Sequence, residues 1–229
     1  MDREAWGSIA RTFLRERSSL RVAEESGLSA KTAQLATHRI REAMFRDVPP
    51  PVSGTVEMDE AYIGGQRKNK GLHIRRLGPA KRGHGTDKLP IVGLFSRKTG
   101  RVWVEVDPRK LDMPFVAGFV RRHVAMGSTV CTDGFRMYRG LWGSGYTHRW
   151  VDHAGGELVG GDVHTNNIEG FWGLMKRRMG CIGGMRRDRL HLFVGEIAWR
   201  FNHRNLTMKE TEKHLLEVLF EDQVGGKSY

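Results

Sequence analysis

Hydrophobic positions in the first 47 residues recur at helical spacing. Trp6, Ile9, Ala10 and Phe13 form one stripe, and the segment SSLRVAEESGLSAKTAQLATHRIREAM predicts a short helix, a turn and a longer helix. Ala23 is small enough for two helices to cross closely, and Gly27, four residues on, permits the tight turn between them. Ser29 is placed to cap the longer helix, with Ala33, Ala36, Ile40 and Met44 facing inward and Lys31, Gln34, Thr37, His38 and Arg41 facing out. This is a helix-turn-helix pattern, with Lys31, Gln34, His38 and Arg41 as its candidate DNA contacts and a plain helical hairpin as the alternative.

The proline run VPPP (48–51) ends the helical pattern and predicts a short stiff linker over residues 49–54. Beyond it the periodicity becomes that of strands. TVEMDEAYI (55–63) alternates, and LPIVGLFSR (89–97) and RVWVEVD (101–107) flank a KTG turn as a hairpin. A helix is predicted from Met113 to Ala125, followed by a short apolar strand STVCTDG (128–134) and a further strand YTHRWVDH (146–153). Two helices follow. The first, from about Asn167, carries a stripe of Ile168, Phe171, Trp172, Met175 and Met179; the second, from about Arg189, carries Leu190, Phe193, Val194, Ile197 and Phe201. The element order predicts an α/β layer fold with a mixed sheet over residues 55–205, preceded by the helical module (1–48) and followed by a tail (206–229).

Charge identifies the class of partner. Of the formal net charge of +12, residues 66–88 carry +7 through Arg67, Lys68, Lys70, Arg75, Arg76, Lys81, Arg82 and Lys88 against Asp87. Residues 175–189 carry the remaining +5 through Lys176, Arg177, Arg178, Arg186, Arg187 and Arg189 against Asp188. Two compact basic blocks in an otherwise neutral chain suit a phosphate backbone. An anionic membrane is the weaker alternative, since neither block predicts a long amphipathic helix. No stretch approaches the ~18 to 20 continuous apolar residues that span a bilayer, and the N-terminus shows no signal-peptide core. A cytoplasmic location is therefore expected. The two cysteines, Cys131 and Cys181, are too few for a disulfide framework and are expected to be buried.

Three acidic residues carry the candidate chemistry. Asp59 lies in EMDE, where three acids in four residues are costly in a core strand unless a cation neutralises them. Alternation sends Glu57 and Asp59 to one face of the strand and Met58 and Glu60 to the other. Asp133 follows the apolar TVC and is delivered to a sheet end, although DG is also an ordinary turn signal. Glu169, three residues after an N-cap candidate at Asn166, fits a capping box, yet it also stands at the edge of the buried stripe of its helix. Metal makes the set coherent: Mg²⁺ takes oxygen ligands, and two ions roughly 3.5 to 4 Å apart activate the attacking oxygen and stabilise the leaving one in phosphodiester cleavage. Lys176, two turns beyond Glu169, is positioned to contact phosphate.

Four ordered blocks, VEMDEAYIGG, CTDGFRMY, HTNNIEGFWGLMKRRMG and EIAWRFNHRN, resemble the DDE transposases of bacterial insertion sequences, specifically the IS1595 branch. The resemblance spans about residues 20–205, with 35 residues between Asp133 and Glu169. It implies a ribonuclease H-like fold and a metal-binding triad of Asp59, Asp133 and Glu169 using Mg²⁺, with Mn²⁺ as substitute. It also implies supporting roles for His164, Asn166 and Lys176. Many members of that branch begin with a zinc ribbon, and no cysteine precedes residue 131 here. The expected activity is cleavage at element ends and transfer of the 3′-hydroxyl into target DNA. The expected partners are double-stranded terminal repeats and target DNA, with a homodimer or larger assembly pairing two ends. A metal-dependent nuclease without strand transfer, or a catalytically idle DNA-binding regulator, are the alternatives.

Overall fold

The computed structural model describes residues 1–15, 18–64, 72, 88–107, 111–133, 145–151, 163–180, 182 and 186–224. The chain divides into two compact units, Met1–Val48 with the chain from His191 onward, and Pro49–Leu190.

The first unit is helical. It contains α1 (Arg3–Leu14), α2 (Ser19–Ser26) and α3 (Ala30–Arg46), then α6 (Leu190–Asn202) and α7 (Met208–Val224). Asp2 caps α1 by accepting from Ala5 N, 2.8 Å, and Ser29 caps α3 by accepting from Thr32 N, 3.1 Å. Between α2 and α3, Gly27 takes φ 65°, a left-handed turn that glycine adopts without steric cost. Trp6, Ile9, Ala10 and Phe13 meet Val22, Ala23, Ala33, Ala36, Ile40 and Met44 in one core, as their spacing predicts. That core also takes in Trp199, Leu215 and Leu219. Residues 208–224 are thus a packed helix rather than a tail, because burial of Leu215 and Leu219 fixes them. Thr37, expected on the outer face, is buried with its hydroxyl donating to the Gln34 carbonyl, 3.0 Å, which satisfies the polar group internally.

The second unit holds a five-stranded sheet in the order β3-β2-β1-β4-β5, with β1 (Thr55–Ile63), β2 (Leu89–Ser96), β3 (Val102–Val106), β4 (Thr129–Asp133) and β5 (Thr147–Val151). β1, β2 and β3 run antiparallel in sequence, whereas β4 pairs parallel with both β1 and β5. This is the ribonuclease H-like arrangement. Helix α4 (Met113–His123) puts Val116, Phe119 and Val120 against Val56, Met58, Val92 and Leu94 on one face. Helix α5 (Asn166–Gly180) lies on the other, reached by the odd-numbered positions of β1. Its stripe of Ile168, Phe171, Trp172, Met175 and Met179 is wholly buried, and each such side chain contributes roughly 1.5 to 3 kcal/mol on burial. The proline segment is docked rather than free. Pro49 O accepts from Trp103 Nε1, 3.0 Å, and Val52 pairs with Val124 as an isolated parallel bridge.

Candidate active site

β1 and β4 run parallel with Glu57 opposite Cys131, so two residues further on Asp59 and Asp133 emerge side by side at the same end of the sheet. Ligand oxygens of Asp59, Glu60 and Asp133 all lie within 4.8 Å of one another. Two of the three predicted acids are therefore brought together, and Glu60, to which the sequence assigned no role, joins them. Glu169 stands outside that cluster, although its charge is near enough to act on Asp59. Its Oε1 accepts from Thr165 Oγ1, 2.7 Å, a neutral partner that like-charge repulsion favours over closer approach. Thr165 also supplies the carbonyl that accepts from Glu169 N, so α5 starts one residue earlier than expected and Asn166, an exposed residue, is its first helical position rather than its cap.

The capping role belongs to Glu57, which the sequence placed on this face without further purpose. Its fully buried carboxylate accepts from Asn167 N at 2.9 Å, Ile168 N at 3.2 Å and Asn167 Nδ2 at 2.7 Å, so two orphan N–H groups of α5 end on a strand of the sheet. Arg97 Nε donates to the same carboxylate, 2.8 Å, while its Nη2 donates to the His164 carbonyl, 2.8 Å. His164 Nδ1 stands 3.2 Å from Glu57 Oε1 but lacks the angle of a hydrogen bond. Of the supporting residues, His164 thus borders this ionic lock, and Asn167 rather than Asn166 closes it. The recoverable signal was the acid itself: a buried strand glutamate requires a cation and donors, and Arg97 stands at the end of the paired strand.

Trp172 ties α5 to Asp59 directly. Its Nε1 donates to Asp59 Oδ2, 3.1 Å, and the indole is buried. Gly93, opposite Asp59 in β2, makes room for the ring, because a Cβ there would fall 2.5 Å from Trp172 Cη2 and 3.1 Å from Ile168 Cδ1. We predict that Gly93→Ala displaces Trp172, lowers stability by about 1 to 3 kcal/mol and depresses activity further than that loss explains. Denaturation together with indole fluorescence measures the first effect; an unchanged melting curve contradicts this packing.

Burial, then the charges of Glu60, Asp133 and Glu169, raise the Asp59 carboxyl from 3.8 to about 7. Burial and the charges of Glu60 and Asp59 likewise push the Tyr62 hydroxyl up. A site with this excess of negative charge and closely spaced oxygens suits a hard divalent cation. The folded chain holds the Asp59 proton to higher pH than the unfolded chain, so this contribution is complete below about pH 4 and lost as pH rises through about 7. In chelator, melting temperature is predicted to fall over that window, with a slope no steeper than ~1.4 kcal/mol per pH unit. Asp59→Asn flattens the fall, and a profile identical to wild type rejects the assignment.

The predicted DNA contacts distribute unevenly. Lys31 and Gln34 are exposed on α3, and His38 stands 3.5 Å from Glu42. Arg41 instead serves packing: it bonds Glu196 at 2.7 Å and lies over the rings of Phe13 and Phe193, which its planar cation favours over solvent. Lys176 and Arg177 are exposed on α5 and Arg178 is half-buried; Arg186 and Arg187 are exposed, with Arg186 paired to Asp188, 3.0 Å. Arg67, Lys68, Lys70, Arg75, Arg76, Lys81 and Arg82 lie outside the described residues, as does Cys181, whereas Cys131 is buried as expected.

Over 221 residues the chain is 31% identical to a protein in transposable element ISH50 of Halobacterium salinarum, covering 93% of this chain and 74% of that one. A transposase-like protein of Haemophilus influenzae is 30% identical over 87 residues, 38% of this chain and 70% of that one. Among solved structures, a chain in the simian T-cell lymphotropic virus intasome bound to PP2A regulatory subunit B56 gamma overlaps with TM-score 0.42 at 9% identity, covering 87% of this chain and 70% of that chain. Residues 51–202, the whole sheet and the helix bearing Glu169, match the family model of the ISXO2-like transposase domain, and the chain belongs to that transposase family.

Proposed function

We propose that the protein cuts DNA at the ends of an insertion element and joins the freed 3′-hydroxyl to target DNA, using Asp59, Asp133 and Glu169 to hold two Mg²⁺ ions, for which Mn²⁺ substitutes. The observation that carries this reading is the convergence of Asp59 and Asp133 from adjacent parallel strands, inside the region shared with the transposase family. Bound divalent ions would supply Lewis-acid polarisation of the scissile phosphate and of the attacking oxygen.

The chain's own part is positional. Trp172 Nε1 donates to one Asp59 oxygen, which helps to orient the carboxylate. Glu57 and Arg97 hold the start of α5 on the sheet, which sets where Glu169 projects. Lys176, exposed seven residues beyond Glu169, is suited to neutralise a phosphate of the bound strand. Water serves as nucleophile for cleavage and the terminal 3′-hydroxyl for joining, so no protein nucleophile is required. The α2–α3 pair is read as the module that enters a major groove, with Lys31 and Gln34 toward the bases. Two element ends require at least two chains.

An oligonucleotide donor with a preformed 3′-hydroxyl end and a labelled target plasmid test this reading. Joined product in Mg²⁺ is expected. Cleavage without joining identifies a nuclease, and neither product with specific end binding identifies a regulator.

A further inference from the structure

Away from the acidic centre, Asp47, His203 and His214 bring one ligand atom each within 4.8 Å of the others. All three belong to the helical unit. Asp47 follows α3 as its C-cap, His203 follows α6, and His214 lies on α7. His214 Nε2 is 2.6 Å from Asp47 Oδ2, His203 Nε2 is 3.9 Å from the same oxygen, and the two imidazole centroids are 4.8 Å apart.

The surroundings orient the three groups as a metal site requires. His203 Nδ1 lies 2.8 Å from the Trp199 carbonyl, which can only accept, so Nδ1 carries a proton, and in the neutral ring Nε2, on the side of Asp47, is the lone-pair nitrogen. Backbone carbonyls hold metal-ligating histidines in this way, fixing tautomer and ring direction. Trp199 Nε1 donates to Asp47 Oδ2, 2.7 Å, which fixes the carboxylate in turn. Asp47 and His203 are largely covered while His214 is the most open of the three, giving the cluster an access side.

We propose that Asp47, His203 and His214 bind one divalent transition-metal ion of the zinc type, which fastens α3, α6 and α7 together. Two imidazole nitrogens and one carboxylate match zinc's ligand preference, and a fourth position is left to water. Two ligands each about 2.1 Å from one ion stand no more than ~4.2 Å apart, and the His203–Asp47 distance already meets this. The His214–Asp47 contact opens as the ion enters. Neutral His214 then presents Nε2 as lone pair with its proton moved to Nδ1 through solvent, so no net proton is released; a protonated His214 releases one. Mg²⁺ is a poor competitor because it prefers oxygen ligands. The acidic centre at Asp59 has the opposite preference.

The test uses the tag-free chain in excess Mg²⁺, which under the proposed function fills the carboxylate centre, and adds Zn²⁺. One Zn²⁺ per chain is expected to remain after dialysis, to raise the melting temperature, and to show two imidazole scatterers by X-ray absorption at the zinc edge. His203→Gln and His214→Gln are each expected to weaken Zn²⁺ binding by about a hundredfold or more, beyond what loss of an outer partner causes. Zn²⁺ fully displaced by Mg²⁺, or retained equally by both variants, overturns the proposal. Should either variant fail to fold, the absorption spectrum of wild-type protein decides: a shell without two imidazoles means that these residues form only a hydrogen-bonded cluster.

Discussion

Asp59→Asn is expected to reduce end cleavage and strand transfer by at least roughly a thousandfold, corresponding to about 4 kcal/mol of lost transition-state stabilisation, while binding of element-end DNA persists. The amide keeps the size of the side chain and can still meet the Trp172 indole, but it removes the negative charge that a divalent ion requires. Asp133→Asn and Glu169→Gln are expected to give the same loss. Under the proposed function, affinity for DNA is expected to rest on other parts of the chain, chiefly the basic blocks, and so to fall with salt as phosphate contacts do. Cleavage gels and mobility shifts on one set of proteins separate the two properties. Parallel loss of binding and cleavage in all three variants would mean that the acids hold the fold rather than the reaction.

The largest effect on stability is expected at Glu57. Glu57→Ala removes a fully buried carboxylate, leaves Arg97 without its carboxylate partner there, and uncaps the start of α5. Breaking one side of a buried pair costs about 3 to 5 kcal/mol, and two helix N–H groups lose their acceptor as well. Glu57→Gln preserves the shape and one carbonyl oxygen and should cost less. Urea denaturation ranks the three proteins. Stability within about 1 kcal/mol of wild type for the alanine variant, a size ordinary for exposed pairs, contradicts the view of Glu57 as the anchor of α5. Activity adds a second readout: because Glu57 sits two residues from Asp59 and holds the helix of Glu169, the glutamine variant should lose turnover while remaining folded at assay temperature.

The sheet was readable because its signals are local and periodic. Alternation in TVEMDEAYI assigned Glu57 and Asp59 to one face, and it is the face that α5 covers. The stripe from Ile168 to Met179 told which side of α5 meets the strands, and all five side chains are buried. Long-range pairings were less legible. Nothing near Glu57 in the sequence names Asn167, 110 residues away, as its partner, and a strand glutamate is by itself ambiguous between surface and core. Trp172 was readable as a core residue, but its bond to Asp59 depends on the absence of a side chain at Gly93, a coincidence of register.

The C-terminal helix was missed for a different reason. Thr207 and Glu210 form a capping box, with Thr207 N donating to Glu210 Oε2 at 2.8 Å and Glu210 N to Thr207 Oγ1 at 3.3 Å, so the start signal TMKE was present. The apolar face that follows is narrow, with Leu215 and Leu219 the buried pair, and a narrow face resembles a tail until the partner helices are known. Arg41 shows the converse limit. Outward spacing on α3 suggested a DNA contact, whereas Glu196 and two phenylalanine rings from distant sequence claim the guanidinium.

The most direct measurement is anomalous diffraction at the manganese edge from crystals of the protein with an element-end duplex and Mn²⁺. Density within coordination distance of carboxylate oxygens of Asp59, Asp133 and Glu169 is the expected result, with Glu169 turned from Thr165 toward the ions. Manganese bound elsewhere, or held by Asp59 and Glu60 while Glu169 stays on Thr165, would contradict the account.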